Sequence, residues 1–215
     1  MNSLQVYVVD DDADVRKGLV SLLESAHYPV QGFARAESFL EAVADSIPTL
    51  AGCLILDLRM PGIDGLALQR LLTEAGAALP IIFLTGHGEL PDAINAMRSG
   101  ALDFLLKPVD GNLLLERLAA CWHAETERVR ARQLREQLIS GLQRLTARER
   151  QILRFALQGL RNGVIAEVLG LSLRTIEAHR SRLLLKLDAD SVQDWQRRCE
   201  QSGLPSAQLI EHLDP

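Results

Sequence analysis

Asp10-Asp11-Asp12, Asp57, Thr85 and Lys107 are the residues of this 215-residue chain whose types could do chemistry together. Each follows or closes a short apolar run: VYVV before Asp10, CLIL before Asp57, IIFL before Thr85, DFLL before Lys107. Carboxylates gathered at strand ends repel one another unless a cation joins them. Hard oxygen ligands with room for water and phosphate suit Mg²⁺. Thr85 and Lys107 would add a hydroxyl and a fixed cation at the same rim. A carboxylate nucleophile, a metal ion and donors for phosphoryl oxygens are the equipment of phosphoryl transfer by positioning and charge neutralisation.

Five strands must hold those residues. Apolar, β-rich runs fall at 4–9, 28–33, 53–56, 81–84 and 102–106, with helical periodicity at 13–26, 36–45, 64–75, 90–99 and again from 111. Five βα units imply a parallel sheet covered by helices on both faces, and the runs without alternation are its fully buried strands. Pro29 cannot donate to a ladder, so the second run is an edge strand. That agrees with strand order 2-1-3-4-5, which brings the ends of strands 1 and 3, and so their carboxylates, together at the topological switch point. Asp64 reads as a helix cap, Cys53 as core, and Gly62 and Gly65 as shaping the turn after Asp57.

The net charge of −5 is unevenly spread: −8 over residues 1–122, +1 over 123–140, +5 over 141–198 and −3 over 199–215. A basic rear is a candidate for nucleic acid. The helix from 111 extends to about Ser140-Gly141, with helices following at 147–158, 162–169, 172–187 and 191–201. Thr146 to Glu149 reads as a capping box, Asn162 and Ser172 as N-caps, Gly159 and Gly170 as stops. Ala166, Val168 and Leu169, with Ile176, Leu183 and Leu187, give the inward faces of a helix pair joined at Gly170-Leu171. The opposite face of the second helix carries Arg174, Ala178, Ser181, Arg182 and Leu185, flanked by Thr175, Glu177 and Lys186. Small and cationic residues facing outward let a helix enter a major groove. The tail, 202–215, is acidic and expected to be loosely held. Cys53, Cys121 and Cys199 are far apart, which argues for a reducing cytoplasm and against a disulfide or zinc framework. No run of about eighteen apolar residues suggests a membrane span, and the acidic N-terminus lacks the basic start of a signal peptide.

VDDD, CLILDLRMPGIDG, FLTGH and FLLKP resemble the receiver domain of two-component response regulators. The resemblance implies a flavodoxin-like (βα)5 domain over residues 1–122. It makes Asp57 the phospho-acceptor, and Asp10, Asp11, Asp57 and the backbone carbonyl of Arg59 the holders of Mg²⁺. Thr85 and Lys107 become the pair that contacts the phosphoryl group, Thr85 and Phe104 the switch, and Lys107-Pro108 a cis peptide. Arg59 and His87 stand where family members tune phosphoryl lifetime. Many relatives have tyrosine where this chain has Phe104, so a hydroxyl contact is absent there.

Residues 144–201 resemble the LuxR/FixJ-type helix-turn-helix through LTARERQIL, Ile165-Ala166, Leu169-Gly170 and RTIEAHRSRLLLKL, reached by a linker helix over 123–143. By that match Glu177, Ala178 and Ser181 read bases, Arg174, Thr175, Arg182 and Lys186 hold the DNA backbone, and His179 stabilises the module. Gly163 replaces a lysine common in relatives, which removes a phosphate contact.

Together the resemblances imply a response regulator transcription factor of the cytoplasm. A sensor histidine kinase phosphorylates it, it dimerises on phosphorylation, it binds double-stranded promoter DNA, and RNA polymerase is a further partner. Its own chemistry would be limited to Mg²⁺-dependent self-phosphorylation and self-dephosphorylation. The dimer face would include Leu90, Ile94, Met97, Arg98, Leu113 and Arg117. A dehalogenase-like phosphatase would need an aspartate at position 59, where this chain has arginine. A ligand-sensing regulator leaves the ordered acid, threonine and lysine set without a purpose.

Overall fold

The runs VYVV and CLIL become β1 (Gln5–Val9) and β3 (Gly52–Asp57), the two strands at the centre of the sheet. All six residues of β3 are buried. Their alternation serves two cores, because successive side chains leave opposite faces of a strand. Leu54 and Leu56 pack with Phe39, Leu68 and Phe83, while Cys53 and Ile55 pack with Leu19, Leu114 and Leu118. The structure, a computed structural model, describes residues 4–86 and 100–204.

β2 (Val30–Phe33), β4 (Ile81–Thr85) and β5 (Asp103–Leu106) complete a parallel sheet in the order β2-β1-β3-β4-β5. This is the expected flavodoxin-like order. Pro29 lies just outside the edge strand β2 and gives only its carbonyl to Val6 N–H. The covering helices are α1 (Ala13–Ser25), α2 (Ala36–Val43), α3 (Gly65–Glu74) and the first half of α4 (Gly111–Gln143). After α2 the chain tightens into a 3-10 helix, Ala44–Thr49, which contains Pro48. Proline has no N–H to continue an α-helix. The helix expected at 90–99 lies outside the described residues.

The chain divides between Glu127 and Arg128 into two units. α4 runs across the division, and its last turns join a separate core, with Leu138 and Leu142 buried there. Four helices complete that second unit: α5 (Ala147–Leu157), α6 (Asn162–Leu169), α7 (Leu173–Leu187) and α8 (Val192–Gln201). They close over Ile152, Leu153, Ile165, Ile176, Leu183 and Trp195. The capping box of Thr146 and Glu149 forms as read, Ser172 caps α7, and Gly170 ends α6 at φ 63°. Only a residue tolerant of the left-handed region serves at such a stop.

Two local expectations fail. Asn162 is the first residue of α6 rather than its cap, and its Oδ1 accepts from Arg180 instead. Val168 is 58% exposed, while Ile165 and Ala166 face the core. The periodicity of a two-turn helix leaves the phase of its apolar face open by one position, and packing settled it. Of the tail, Ser202 and Leu204 are buried and Leu204 N–H donates to Cys199 O, while residues 205–215 lie outside the described residues.

Among the described residues no helix is long and apolar enough to cross a membrane.

Candidate functional site

β1 delivers Asp10 and β3 delivers Asp57 to the same rim, because Val9 pairs with Leu56 in the parallel ladder. Asp10 is fully buried, Asp57 is buried and Asp11 is exposed. Carboxylate oxygens of the three lie within 4.8 Å of one another. Asp12 has another task. It caps α1, accepting from Asp14 N at 2.8 Å and Val15 N at 3.2 Å, while its own N–H donates to Asp10 Oδ1 at 2.9 Å.

Lys107 arrives from the other side. Its backbone N–H donates to Thr85 O at 2.8 Å, which ties the residue after β5 to the end of β4. The Lys107-Pro108 peptide is cis, as expected. Lys107 Nζ stands 2.8 Å from Asp10 Oδ2 and 2.9 Å from Asp57 Oδ2. Burial would pull this ammonium down, but the two carboxylates outweigh it and hold Lys107 above the usual lysine range. Burial pushes the Asp57 carboxyl up, the Lys107 hydrogen bond opposes that, and the Asp10 charge adds to it. Three carboxylates against one ammonium leave two negative charges in a partly dry pocket, and clustered oxygen donors of this kind fit a divalent cation. Thr85 is buried at the same rim. Phe104 is half-buried against the core around Leu56 and Phe83.

Two further residues build the pocket, and local sequence gave no sign of either. Arg16 Nη1 donates to Asp10 O at 2.6 Å and lies 3.4 Å from Asp11 O. Its stem crosses Gly32, where a Cβ would come within 3.4 Å of Arg16 Cγ. Glu37 Oε1 accepts Ile63 N–H at 3.2 Å, across 26 residues of sequence, and so fastens the loop that leaves Asp57. Arg59 lies in that loop with its side chain exposed and its N–H 3.4 Å from Asp57 Oδ1. Gly65 is there for close approach: a Cβ would stand 2.4 Å from Asp57 O. Asp64 caps α3 through Ala67 N–H, as read. His87 and the face residues Leu90, Ile94, Met97 and Arg98 lie outside the described residues. Of that face, Leu113 is exposed and Arg117 Nε pairs with Asp103 Oδ2 at 3.1 Å.

In the second unit, α7 exposes Arg174, Glu177, Ala178, Ser181, Arg182 and Leu185, while Thr175 and Lys186 are half-buried. Thr175 Oγ1 lies 2.8 Å from Ser172 Oγ, and Ser181 Oγ donates to Glu177 O at 3.0 Å. Lys186 is engaged: its Nζ stands 2.6 Å from Glu149 Oε2. Burial alone would raise the Glu149 carboxyl, but Lys186 and both donors of Thr146 hold it below the ordinary carboxylate range. His179 is half-buried with Nδ1 enclosed and unbonded, a place inside the module rather than on the exposed face.

Comparison with known proteins places both units. Residues 6–119 match the response regulator receiver domain, and residues 143–197 match the luxR family of bacterial regulatory proteins. The chain belongs to the response regulators. The transcriptional regulatory protein FixJ of Azorhizobium caulinodans is 38% identical to it over 205 residues, covering 95% of this chain and 96% of FixJ. The response regulator protein TmoT of Ectopseudomonas mendocina is 40% identical over 196 residues, covering 91% of this chain and 87% of TmoT. A solved structure of the response regulator StyR superposes with a TM-score of 0.80 at 40% identity, over 92% of this chain and 98% of that one. A receiver followed by a luxR-type domain makes this response regulator a signalling transcription factor rather than a metabolic enzyme.

Proposed function

We propose that this response regulator accepts a phosphoryl group on Asp57 from a sensor histidine kinase, dimerises through its receiver, and in that state binds promoter DNA. The observation that carries the proposal is the pocket itself, with Asp57 held 2.9 Å from Lys107 Nζ in the company of Asp10 and Asp11. A carboxylate oxygen of Asp57 attacks phosphorus, the P–N bond to the kinase histidine breaks, and the released imidazole takes a proton. Lys107 leaves its shared position to neutralise a non-bridging phosphoryl oxygen, and the Thr85 hydroxyl donates to another. Asp10, Asp11, Asp57 and the Arg59 carbonyl would hold Mg²⁺, which when bound offsets charge on the phosphoryl oxygens.

The new dianion draws Thr85 and Lys107 toward it. Space vacated by Thr85 admits the Phe104 ring, and the surface of β5 and α4 changes with it. That surface exposes Leu102, Leu106 and Leu113, apolar area that a second copy would cover. A two-fold dimer reads two half-sites, so the DNA site is close to palindromic. Arg174 and Arg182 bind phosphate, with Glu177, Ala178 and Ser181 aimed at base edges. RNA polymerase is the onward partner and the cytoplasm the compartment. The only reactions of this protein are then its own phosphorylation and dephosphorylation.

Incubation with acetyl phosphate and Mg²⁺, followed by intact-mass measurement, should add one phosphoryl group to the wild type and none to Asp57→Asn. Addition to the variant, or addition undiminished by EDTA, would move the site or remove the metal from the account.

A further inference from the structure

The basic residues of α7 do not share one job. Arg174 and Arg182 are exposed, but Lys186, which by position looks like another phosphate contact, is turned into the protein. Its Nζ meets Glu149 Oε2 at 2.6 Å, and the Glu149 side chain is 3% exposed. The same oxygen accepts Thr146 N–H at 2.8 Å and Thr146 O–H at 3.0 Å. Three donors therefore converge on one buried carboxylate oxygen, across 37 residues in the case of Lys186. Drawing Lys186 out to a DNA phosphate would strand a buried charge, which is costly.

The same turn of α7 is gripped twice more. Arg144 Nη2 donates to the Lys186 carbonyl at 2.7 Å, satisfying one of the last carbonyls of the helix. Gly141, in the last turn of α4, lies so close that a Cβ would stand 3.3 Å from Lys186 O and 3.5 Å from Leu187 Cα. Thus the end of α4, the turn at Arg144 and the first turn of α5 all bear on one turn of the helix that carries the outward face. Arg180, donating to Asn162 Oδ1 at 2.6 Å, fixes the middle of that helix against α6.

We propose that Lys186 and Glu149 form a clamp that sets the angle of α7 for base reading, and that Lys186 is a positioning residue rather than a phosphate contact. The proposal rests on the reading of α7 as the DNA-recognition helix. Base contacts demand hydrogen-bond geometry at several side chains at once. A helix pinned at its last turn keeps Glu177, Ala178 and Ser181 in step, whereas phosphate contacts tolerate displacement. Loss of the clamp therefore lowers discrimination between sequences more than it lowers affinity for DNA as such.

The test uses the full-length protein with Mg²⁺ and beryllofluoride. The probe is a fluorescein-labelled duplex that the wild type selects from a random-sequence pool, with a scrambled duplex beside it. Binding is titrated at several salt concentrations for wild type, Glu149→Gln, Lys186→Met, Lys186→Arg and the double variant Glu149→Gln/Lys186→Met. The clamp predicts that Glu149→Gln and Lys186→Met each cut the ratio of selected to scrambled affinity by about tenfold or more. The slope of log affinity against log salt stays at the wild-type value, and Lys186→Arg recovers most of the ratio. A phosphate contact predicts the reverse. Lys186→Met would then lower the salt slope by roughly 1, and Glu149→Gln would free the ammonium and tighten binding to both duplexes. That pair of results overturns the clamp. Circular dichroism sets a temperature at which every variant is folded. The double variant, which strands no charge, carries the test where a single variant does not fold, and the clamp predicts the same loss of ratio for it. A wild type that selects no duplex from the pool overturns the DNA-recognition reading itself, a failure distinct from either variant result.

Discussion

Lys107 holds Asp10 and Asp57 at once, so the pocket carries an internal cation that offsets part of its carboxylate charge. The strength of such a pocket depends on backbone that does not drift, and Arg16 supplies that by binding the carbonyls of Asp10 and Asp11. Replacing Arg16 by methionine keeps the stem over Gly32 and removes the clamp. Because a hydrogen bond involving a charged group contributes about 1.5–3 kcal/mol to stability, the thermal midpoint of the receiver should fall by several degrees, and Mg²⁺ binding by calorimetry should weaken as the backbone of the acids loosens. An unchanged Mg²⁺ affinity would make Arg16 a surface contact only. Glu149 gives a second test at this scale. Its folded carboxyl is held below its ordinary value, so its contribution is complete above the unfolded pKa of about 4.3 and is lost as pH falls through the folded value. Thermal melts should show the gap between wild type and Glu149→Gln closing as pH drops from 6 toward 3, roughly the range spanning carboxylate titration. A gap that stays constant with pH would show that the charge of Glu149 contributes nothing.

Elements were legible where their pattern is local. Unalternating apolar runs gave the central strands, Pro29 gave the edge, and Thr146 with Glu149 gave the start of α5. The acids, threonine and lysine of the pocket could be named in advance because each sits at a strand end, and strand order alone brings strand ends together. Contacts between elements were not legible. Glu37 on Ile63, Arg16 on Asp10 and Lys186 on Glu149 depend on how helices dock, which residue type and spacing do not record. The inward assignment of Val168 failed for the same reason, since only packing sets the phase of a two-turn helix. Gly52 shows what such docking demands. It opens β3 at φ 130°, and a Cβ there would stand 1.8 Å from Gln5 O in the neighbouring strand. Gly52→Ala must push β1 and β3 apart at that end. Strain of this kind costs about 1–3 kcal/mol before any lost pairing is counted, so denaturant unfolding followed in the receiver should show at least that loss. An unperturbed midpoint would mean that the strand ends part without cost.

At the scale of the whole molecule, charge and core divide together. The acidic front, net −8 over residues 1–122, holds the two cores of the sheet, and the basic stretch, net +5 over 141–198, holds the helical core around Trp195. All three cysteines are buried, and burial pushes the Cys199 thiol up to about 12, so that thiol stays protonated in the native protein. In the proposed function, signal passes from a carboxylate in the first unit to a helix face in the second, with the charge placed on Asp57 as the bias. The most direct measurement is sedimentation of wild type and Asp57→Ala at matched concentration in Mg²⁺, with and without beryllofluoride, alongside titration of a selected DNA duplex. Beryllofluoride should convert the wild type from monomer to dimer and tighten its DNA binding, and Asp57→Ala should do neither. Equal dimerisation and equal DNA binding by both proteins in every condition would leave a DNA-binding protein without a phospho-switch.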